Sequence, residues 1–259
     1  MPARTAQGRG SLTPDPVFAD PRLVAVYDTF DAPRDDLDAY VALVAELDAR
    51  RVLDLGCGTG NLGVRLADRG IEVIGVDPAE ASLAVARSRE ERVRWVHGDV
   101  GSAAGLDVDL VVMTGNVAQV FLTDAQWAEV LAGCRAATRP GGYLVFETRR
   151  PQRRAWEEWD GQVVLDVPGI GAVSQRREVT EVRLPLVSFR STYRFPDGAV
   201  ISSDSTLCFR DLDEISRDLA AHGYRVLDVR EAPDRPGKEF VFVAQANALV
   251  MNTLLGSST

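Results

Sequence analysis

A glycine-rich segment flanked by two acidic residues is the part of the chain best suited to bind a ligand. Residues 51–60 read R-V-L-D-L-G-C-G-T-G, in which apolar residues around Asp54 suit a buried strand and glycines follow directly. Glycines at such a turn let the backbone approach a ligand closely. The helix that begins at Asn61 offers free N–H groups, which favour an anionic group such as a carboxylate. The segment therefore predicts a small-molecule site at the end of a strand.

Two ligand-binding patterns compete for this loop. Residues 58–63 match the dinucleotide pattern G-x-G-x-x-G, with Asp77 at the end of the next strand as the ribose-binding acid. Residues 56–60 match G-x-G-x-G instead, headed by Asp54. The first pattern would bury Asp54 inside the strand without a partner, which is costly. The second places Asp54 at the carboxyl end of the strand, where it faces a ligand, and we favour it.

The sequence V-L-D-L-G-C-G-T-G resembles motif I of the class I S-adenosylmethionine-dependent methyltransferases. An R-P-G-G turn at 139–142, before the fifth predicted strand, is a second feature common in that family. The resemblance covers residues 50–148 closely and 211–246 more loosely. It implies methyl transfer from S-adenosylmethionine, with release of S-adenosylhomocysteine.

The resemblance also assigns cofactor contacts residue by residue. Asp77 would bind the ribose, although an aspartate at a strand end is also a common helix N-cap. Asp99 would accept from the adenine amino group, Val100 would contact the ring through its backbone, and Gly115 would meet the methionine end. The full set of implied cofactor-binding residues is Asp54, Gly56, Cys57, Gly58, Gly60, Asn61, Asp77, Pro78, Asp99, Val100, Thr114 and Gly115.

The hydrophobic pattern predicts an α/β fold with an insertion. Strands and helices alternate up to Glu147, and period-two patterning from 162 to 209 then indicates antiparallel β-structure. We expect a seven-stranded, mostly parallel sheet of order 3-2-1-4-5-7-6 with strand seven antiparallel. The expected organisation is a disordered tail at 1–20, a Rossmann-like core at 21–150 and 210–248, and an inserted β lid at 151–209 over the carboxyl ends of the strands.

Composition limits the classes of partner. The chain has 259 residues, a net charge of −9 and a sequence pI near 4.9, which argues against general nucleic-acid binding. Two histidines exclude a histidine-rich metal site, and three scattered cysteines suit a reducing cytosol. No run is apolar enough to span a membrane, and the N-terminus lacks the apolar core of a signal peptide. We therefore expect a cytoplasmic monomer or homodimer with no metal, nucleic-acid or membrane partner.

Several residues near the expected transfer point are candidates for contact with the methyl acceptor. Asn116 follows the fourth strand, at a position where enzymes of this family contact the incoming nucleophile. The segment that begins at Asn116 lacks the D/N-P-P-Y/F signature of amino-methylating nucleic-acid enzymes. This absence, with the acidic charge, favours a small-molecule acceptor methylated on nitrogen or oxygen. Tyr27 begins a Tyr-Asp-x-Phe segment that in many relatives folds over the cofactor. Alternatively, Tyr27 and Phe30 seal the edge of the sheet.

A catalytic base is required only if the acceptor must lose a proton, and no residue stands out for that role. Glu147, His97 and Asp28 are the candidates, with His97 more consistent with a packed core residue inside a strand. Arg149 lies near Trp156 and Trp159, a combination that suits a planar acceptor with a carboxylate or phosphate. Alternatively, the arginines near 149–154 attach the lid to the core or form a solvated surface.

Two rival functions remain open at this point. A methyltransferase fold can keep its cofactor loop and lose its acceptor pocket, which would leave a non-catalytic S-adenosylmethionine-binding module. An NAD-binding dehydrogenase is the second rival, and binding tests with each cofactor would distinguish it.

Overall fold

The computed structural model describes residues 13–248, which form two β-sheets and seven α-helices within that range. The helices are α1 (Pro16–Ala19), α2 (Pro21–Phe30), α3 (Asp36–Glu46), α4 (Asn61–Ala67), α5 (Glu80–Arg89), α6 (Asp124–Ala137) and α7 (Leu212–Ala221). The strands are β1 (Arg51–Leu55), β2 (Glu72–Asp77), β3 (Arg94–His97), β4 (Val108–Met113), β5 (Thr138–Arg149), β6 (Gly161–Val167), β7 (Gly171–Arg183), β8 (Leu186–Arg194), β9 (Val200–Cys208), β10 (Tyr224–Arg230) and β11 (Glu239–Ala246).

The central sheet has seven strands in the order β3-β2-β1-β4-β5-β11-β10. Strand β1 pairs in parallel with β2 and β4, whereas β11 runs antiparallel to both β5 and β10. With β10 and β11 as strands six and seven, this is the predicted order 3-2-1-4-5-7-6, and the predicted fold class is confirmed. The winding direction changes between β1 and β4, so a crevice opens at the carboxyl ends of these two strands.

Helices cover both faces of the central sheet. On one face, Trp127, Val130 and Leu131 of α6 pack with Phe146 and Phe242 of the sheet. On the other face, α3 and α4 contribute Leu37, Val44, Leu62 and Leu66 to a second cluster, with Val52 and Val145 of the sheet. Burial on both faces explains the apolar runs in the inner strands β1, β2 and β4.

The second sheet has the order β6-β7-β8-β9, and all of its pairings are antiparallel. It follows β5 in the chain, as the period-two pattern predicted. Its buried face includes Val167, Val173 and Tyr193, which cluster with Leu23 and Val26 of α2. Helix α2 therefore packs on the inserted sheet, although residues 21–150 were expected to belong to the core.

The structure corrects the predicted N-terminal tail. A tail was expected over residues 1–20, but Pro16–Ala19 form helix α1, in which Pro16 occupies the first turn. The main-chain N–H of Val17 donates to Ser203 Oγ at 3.0 Å, and the carbonyl of Phe18 accepts from Ser82 Oγ at 2.8 Å. These bonds join α1 to helix α5 and to strand β9 of the second sheet. The Pro- and Ser-rich composition of the segment did not predict them. The rest of the expected tail, residues 1–12, lies outside the described residues.

Candidate functional site

The loop between β1 and α4 owes its shape to three glycines. Gly56, Gly58 and Gly60 have φ values of +76°, +52° and +85°, a region that L side chains rarely adopt. The N–H groups of Gly56 and Cys57 both donate to the carbonyl of Val76, at 2.8 and 3.2 Å. The loop is thus fixed to the end of β2.

Close packing explains two further glycines in this region. An added Cβ at Gly63 or Gly75 would come within 2.7 or 2.4 Å of the indole of Trp95. Gly63 is the third glycine of the dinucleotide pattern, and here it makes room for a side chain of the protein. The structure therefore gives Gly63 a packing reason that requires no dinucleotide.

A cavity of about 820 Å³ lies over the carboxyl ends of β1, β2 and β4. Eleven of the twelve residues predicted to bind the cofactor line it: Asp54, Gly56, Cys57, Gly58, Asn61, Asp77, Pro78, Asp99, Val100, Thr114 and Gly115. Gly60 is the exception, because the space beside it is filled by Trp95 and Ala86. The sequence motifs, which are spread over sixty residues, meet in one cavity.

Asp54 is a buried carboxyl group in the cavity wall. It is 1% exposed, and its Oδ1 has no hydrogen-bond partner among the residues that the structure describes. Burial, and then the charge of Asp77, raise the pKa of Asp54 to about 7, while Arg34 acts in the opposite direction. A cationic ligand group at Oδ1 would supply the missing partner.

Asp77 and Asp99 are each anchored by backbone N–H groups. Asp77 Oδ2 accepts from Gly58 N–H and Oδ1 from Ala79 N–H, both at 2.8 Å, so its carboxylate joins the glycine loop to the turn before α5. The N-cap of α5 is Ala79, not Asp77. Burial raises the pKa of Asp77 despite these two bonds. Asp99 is exposed, and its Oδ1 accepts from Gly101 N–H at 2.9 Å. Each carboxylate keeps lone pairs for a ligand.

Asp28, a candidate base, is held in a structural network. Its Oδ1 accepts from the Thr59 hydroxyl at 2.7 Å and from Asn61 Nδ2 at 3.0 Å, and its Oδ2 pairs with Arg89. Burial would raise the pKa of Asp28, but the bonds from Thr59, Arg89 and Asn61 lower it below its usual range. Asp28 therefore stabilises the glycine loop through hydrogen bonds, and its lowered pKa makes it a poor base.

Of the four acceptor candidates, only Tyr27 lines the cavity. Its ring packs edge-on against Phe18 with the ring centres 5.4 Å apart, and burial raises the pKa of its hydroxyl above the usual range. Glu147, Asn116 and Arg149 are not in the cavity wall. Instead they belong to a buried polar cluster directly behind the wall.

Glu147 lies at the centre of this buried polar cluster, which consists of Tyr40, Asn116, Glu147, Arg149, Arg235 and Glu239. Glu147 is 0% exposed. Its Oε1 accepts from Asn116 N–H at 3.1 Å, and its Oε2 accepts from the Tyr40 hydroxyl. Burial, and then Glu239, raise the pKa of Glu147. Glu147 is fully buried and does not line the cavity, so its carboxylate does not reach a molecule bound there.

Arg149 and the two tryptophans pack at the junction between the sheets. Arg149 donates from Nη1 to Gln119 Oε1 at 3.0 Å, and its guanidinium lies 5.4 Å from the ring centre of Trp159. Trp156 and Trp159 form a cluster with Phe209 and Val187. The structure thus places this group where it attaches the inserted sheet to the end of β5, which was the alternative interpretation of these residues.

His97 does not lie in the core, so that expectation is wrong. Its side chain is 55% exposed, with Nε2 3.0 Å from the carbonyl of Pro78 and Nδ1 3.7 Å from Glu80. The error arises because β3 is the outer strand of the sheet and its residues are only partly covered.

Sequence reasoning missed several cavity residues that come from distant segments. Arg34 lines the wall close to Asp54, and Asp31 and Asp36 hold its guanidinium at 2.8 and 3.0 Å. Further lining residues that were not predicted include Asp15, Phe18, Glu129, Asp204 and Thr206. Arg34 is the single arginine within the acidic segment 28–38, and this contrast could have marked it as a functional residue.

Neither a membrane-spanning helix nor a metal-binding cluster is found in the described part of the chain. Between residues 13 and 248, no helix is long and apolar enough to cross a bilayer. Within the same range, no group of three or more His, Cys, Asp or Glu side chains is arranged to hold a metal ion.

Comparison with known proteins gives consistent matches. A family model described as a methyltransferase domain matches residues 52–142. An uncharacterized methyltransferase of Mycobacterium tuberculosis is 33% identical over 198 residues, which cover 67% of this chain and 75% of that protein. The biotin biosynthesis bifunctional protein BioHC of Cellvibrio japonicus is 27% identical over 76% of this chain. The chain spans only 38% of the length of that relative.

A solved structure resembles the fold over most of the chain. The amino pentose methyltransferase CalS10 from Micromonospora echinaspora, solved with S-adenosylmethionine bound, superposes with a TM-score of 0.69. The match is 26% identical in sequence and covers 86% of this chain and 97% of the other.

Proposed function

Because this chain belongs to the class I S-adenosylmethionine-dependent methyltransferases, we propose that it transfers a methyl group to a small molecule and releases S-adenosylhomocysteine. The family inferred from motif I and the R-P-G-G turn is confirmed by the comparisons, and so is S-adenosylmethionine as its cofactor. The dehydrogenase alternative loses its support. The acceptor and the atom that is methylated belong to the proposal.

The residues of the cavity fit the cofactor. The unpartnered Oδ1 of Asp54 suits the ammonium of a methionine moiety, and the guanidinium of Arg34 on the same wall suits its carboxylate. Asp77 retains lone pairs for the ribose hydroxyls, and Asp99 for the adenine amine. An added Cβ at Gly58 would meet no protein atom within 4 Å, so the loop leaves open space at this point.

The cavity extends beyond these residues, and this extension is the observation that carries the proposal of a small acceptor. It is also lined by Val120, Phe121 and Leu122, which follow β4, and by Asp204 and Thr206 of β9. Apolar walls with a few polar groups are typical of small-molecule sites. When bound, S-adenosylmethionine supplies a methyl group on a sulfonium, which is a good leaving group, so the chain mainly has to align donor and acceptor.

The charge of the wall favours a neutral or cationic acceptor. Among the lining residues within 13–248, six carry carboxyl groups, and Arg34 is the single one with a guanidinium. Arg34 is assigned to the carboxylate of the cofactor, so no cationic lining residue in this range is left for the acceptor. A phosphate or carboxylate acceptor would therefore be repelled, which reverses our expectation that Arg149 grips an anionic group. An amine or hydroxyl acceptor is consistent with this wall, and CalS10, an amino pentose methyltransferase, has the same fold.

Cofactor binding and the Asp77 role are tested together by calorimetry. The wild-type protein should bind S-adenosylhomocysteine and show no binding of NAD. Asp77→Ala should weaken S-adenosylhomocysteine binding by about 1.5–3 kcal/mol, because a buried pair of hydroxyls loses a charged acceptor. Asp166→Ala removes an exposed carboxylate of β6 and serves as the matched control. Unchanged affinity in Asp77→Ala would refute the ribose assignment.

Turnover requires a separate experiment. The protein is incubated with S-adenosylmethionine and a metabolite extract, and the products are analysed by mass spectrometry. Each methylated product should be about 14 mass units heavier than its acceptor, since a methyl group replaces one hydrogen. A protein that binds S-adenosylhomocysteine yet methylates nothing across acceptor pools would instead be a non-catalytic binding module.

A further inference from the structure

The turn after β4 has an unusual backbone and lies against the cofactor loop. We call residues 114–117 the β4 turn. Gly115 and Asn116 have consecutive left-handed conformations, with φ of +68° and +63°. Thr114 and Gly115 line the cavity, and Val117 fills the space beside Gly56, where an added Cβ would come within 2.6 Å of Val117 Cγ2. Asparagine adopts the left-handed region more readily than most L residues, and the hydrogen bonds around Asn116 determine how this turn is held.

The buried polar cluster holds this turn from behind. Glu147 Oε1 accepts from the main-chain N–H of Asn116 at 3.1 Å, and Glu239 Oε1 accepts from Asn116 Nδ2 at 3.1 Å. Arg235 Nη1 lies 3.1 Å from the same Glu239 oxygen. Asn116, Glu147 and Glu239 are each at most 3% exposed. Charged groups of β5 and β11 therefore fix a turn that belongs to neither strand.

From these contacts we propose that Glu147 is a positioning residue, whose carboxylate holds the β4 turn so that Thr114 and Gly115 meet the methionine half of the cofactor. This inference rests on the proposed function. Burial of a carboxylate is costly, and here two hydrogen bonds offset that cost, one from Asn116 N–H and one from the Tyr40 hydroxyl. The bond to Asn116 N–H fixes the backbone next to Gly115, which lines the cavity.

The test compares two ligands that differ only in the methionine half. S-adenosylhomocysteine carries that half, whereas 5′-methylthioadenosine has the same adenosine and thioether without it. Glu147→Leu removes the acceptor for Asn116 N–H, and S-adenosylhomocysteine should bind about tenfold more weakly, a change of about 1.4 kcal/mol, with 5′-methylthioadenosine affected less than twofold. Calorimetry gives both dissociation constants, and the melting temperature is recorded for each variant.

Two variants serve as controls for the contact itself. Glu147→Gln keeps a carbonyl oxygen for Asn116 N–H, and it should restore S-adenosylhomocysteine binding to within about threefold of wild type. Tyr40→Phe removes the other bond to Glu147 and leaves the bond to Asn116, so its binding should also stay within about threefold. The proposal is overturned if Glu147→Leu weakens both ligands equally or neither, or if Tyr40→Phe weakens S-adenosylhomocysteine as much as Glu147→Leu.

A measurement on the wild-type protein keeps the proposal testable if Glu147→Leu does not fold. The chain has four asparagines, at 61, 116, 247 and 252, so labelling with [15N]asparagine gives a simple spectrum. Asn116→Asp identifies the Asn116 signal by its loss. S-adenosylhomocysteine should shift the Asn116 amide, and 5′-methylthioadenosine should leave it in place. Equal shifts with both ligands would overturn the proposal. A wild-type protein that binds neither ligand would instead refute the proposed function.

Discussion

At the scale of single residues, the site depends on carboxyl groups in different states of hydrogen bonding. Asp77 and Glu147 have both oxygens engaged by the protein, whereas Asp54 Oδ1 is buried without a hydrogen-bond partner in the described part of the chain. A buried polar group without a partner is the one that gains most from a ligand. Asp54 is therefore the residue whose ionisation should be linked most strongly to cofactor binding.

This linkage predicts a pH dependence for binding. Below about pH 7 the buried Asp54 is mainly protonated and cannot pair with the ligand ammonium, so S-adenosylhomocysteine affinity should rise as the pH increases through 7. Calorimetry in two buffers of different ionisation enthalpy should detect proton release at pH 6.5. Asp54→Asn should bind weakly at every pH, without this release. Equal proton release in the variant would assign the effect to another group.

The same shift has a consequence for the protein without ligand. The pKa of Asp54 is raised above its value of 3.8 in the unfolded chain, so the folded state favours the protonated form. The resulting contribution to the free energy of unfolding is present below pH 3.8 and is lost as the pH rises through about 7. Above about pH 7 the ionised Asp54 therefore lowers the stability of the ligand-free protein, and in the same pH range it favours ligand binding.

At the scale of elements, the part of the site that could be predicted from sequence is the part that is local in sequence. A strand, a glycine turn and a helix follow one another within 51–67, and Asp77 ends the next strand, so period and composition place them without knowledge of tertiary contacts. The cluster around Glu147 instead joins Tyr40, Asn116 and Glu239. Each hydrogen bond among these residues connects partners that lie 31 to 123 positions apart in the sequence. No local pattern encodes such contacts.

Other errors have equally specific causes. His97 was placed in the core because the strand pattern does not reveal that β3 is the sheet edge. Arg149 and its tryptophans were placed near the acceptor because they follow the carboxyl end of β5. The chain turns there to attach the second sheet, however, and their side chains pack at that junction. The end of the sheet at which these residues lie was predictable, whereas the groups against which their side chains pack were not.

The contact between two loops of the crevice gives a prediction about stability. Gly56→Ala introduces both a left-handed alanine and a clash with Val117, which together should destabilise the protein by about 2–5 kcal/mol. Gly58→Ala introduces the same kind of strain in open space and should cost about 1–2 kcal/mol. Denaturant unfolding of the two variants provides the comparison. Equal losses would show that the Gly56–Val117 packing has no energetic weight.

At the scale of the whole molecule, the cavity is enclosed by parts of the chain that are far apart in sequence. The cofactor loops belong to the central sheet, Asp204 and Thr206 belong to β9 of the second sheet, and Asp15 and Phe18 belong to the N-terminal segment. That segment is bonded to both sides, through Ser82 of α5 and Ser203 of β9. We expect residues 13–19 and the second sheet to act together as the lid of the cavity.

A pair of neighbouring serines tests this lid. Ser203 is 1% exposed, does not line the cavity, and accepts from Val17 N–H at 3.0 Å. Ser203→Ala should therefore loosen the N-terminal segment without touching the ligand. Since one hydrogen bond contributes about 0.5–1.5 kcal/mol, S-adenosylhomocysteine should dissociate about 3- to 10-fold faster in surface plasmon resonance. Ser202→Ala removes an exposed hydroxyl that contacts Thr192 and should leave the dissociation rate unchanged. If both variants release the ligand at the wild-type rate, the N-terminal segment is a fixed wall of the cavity, and ligand exchange occurs elsewhere.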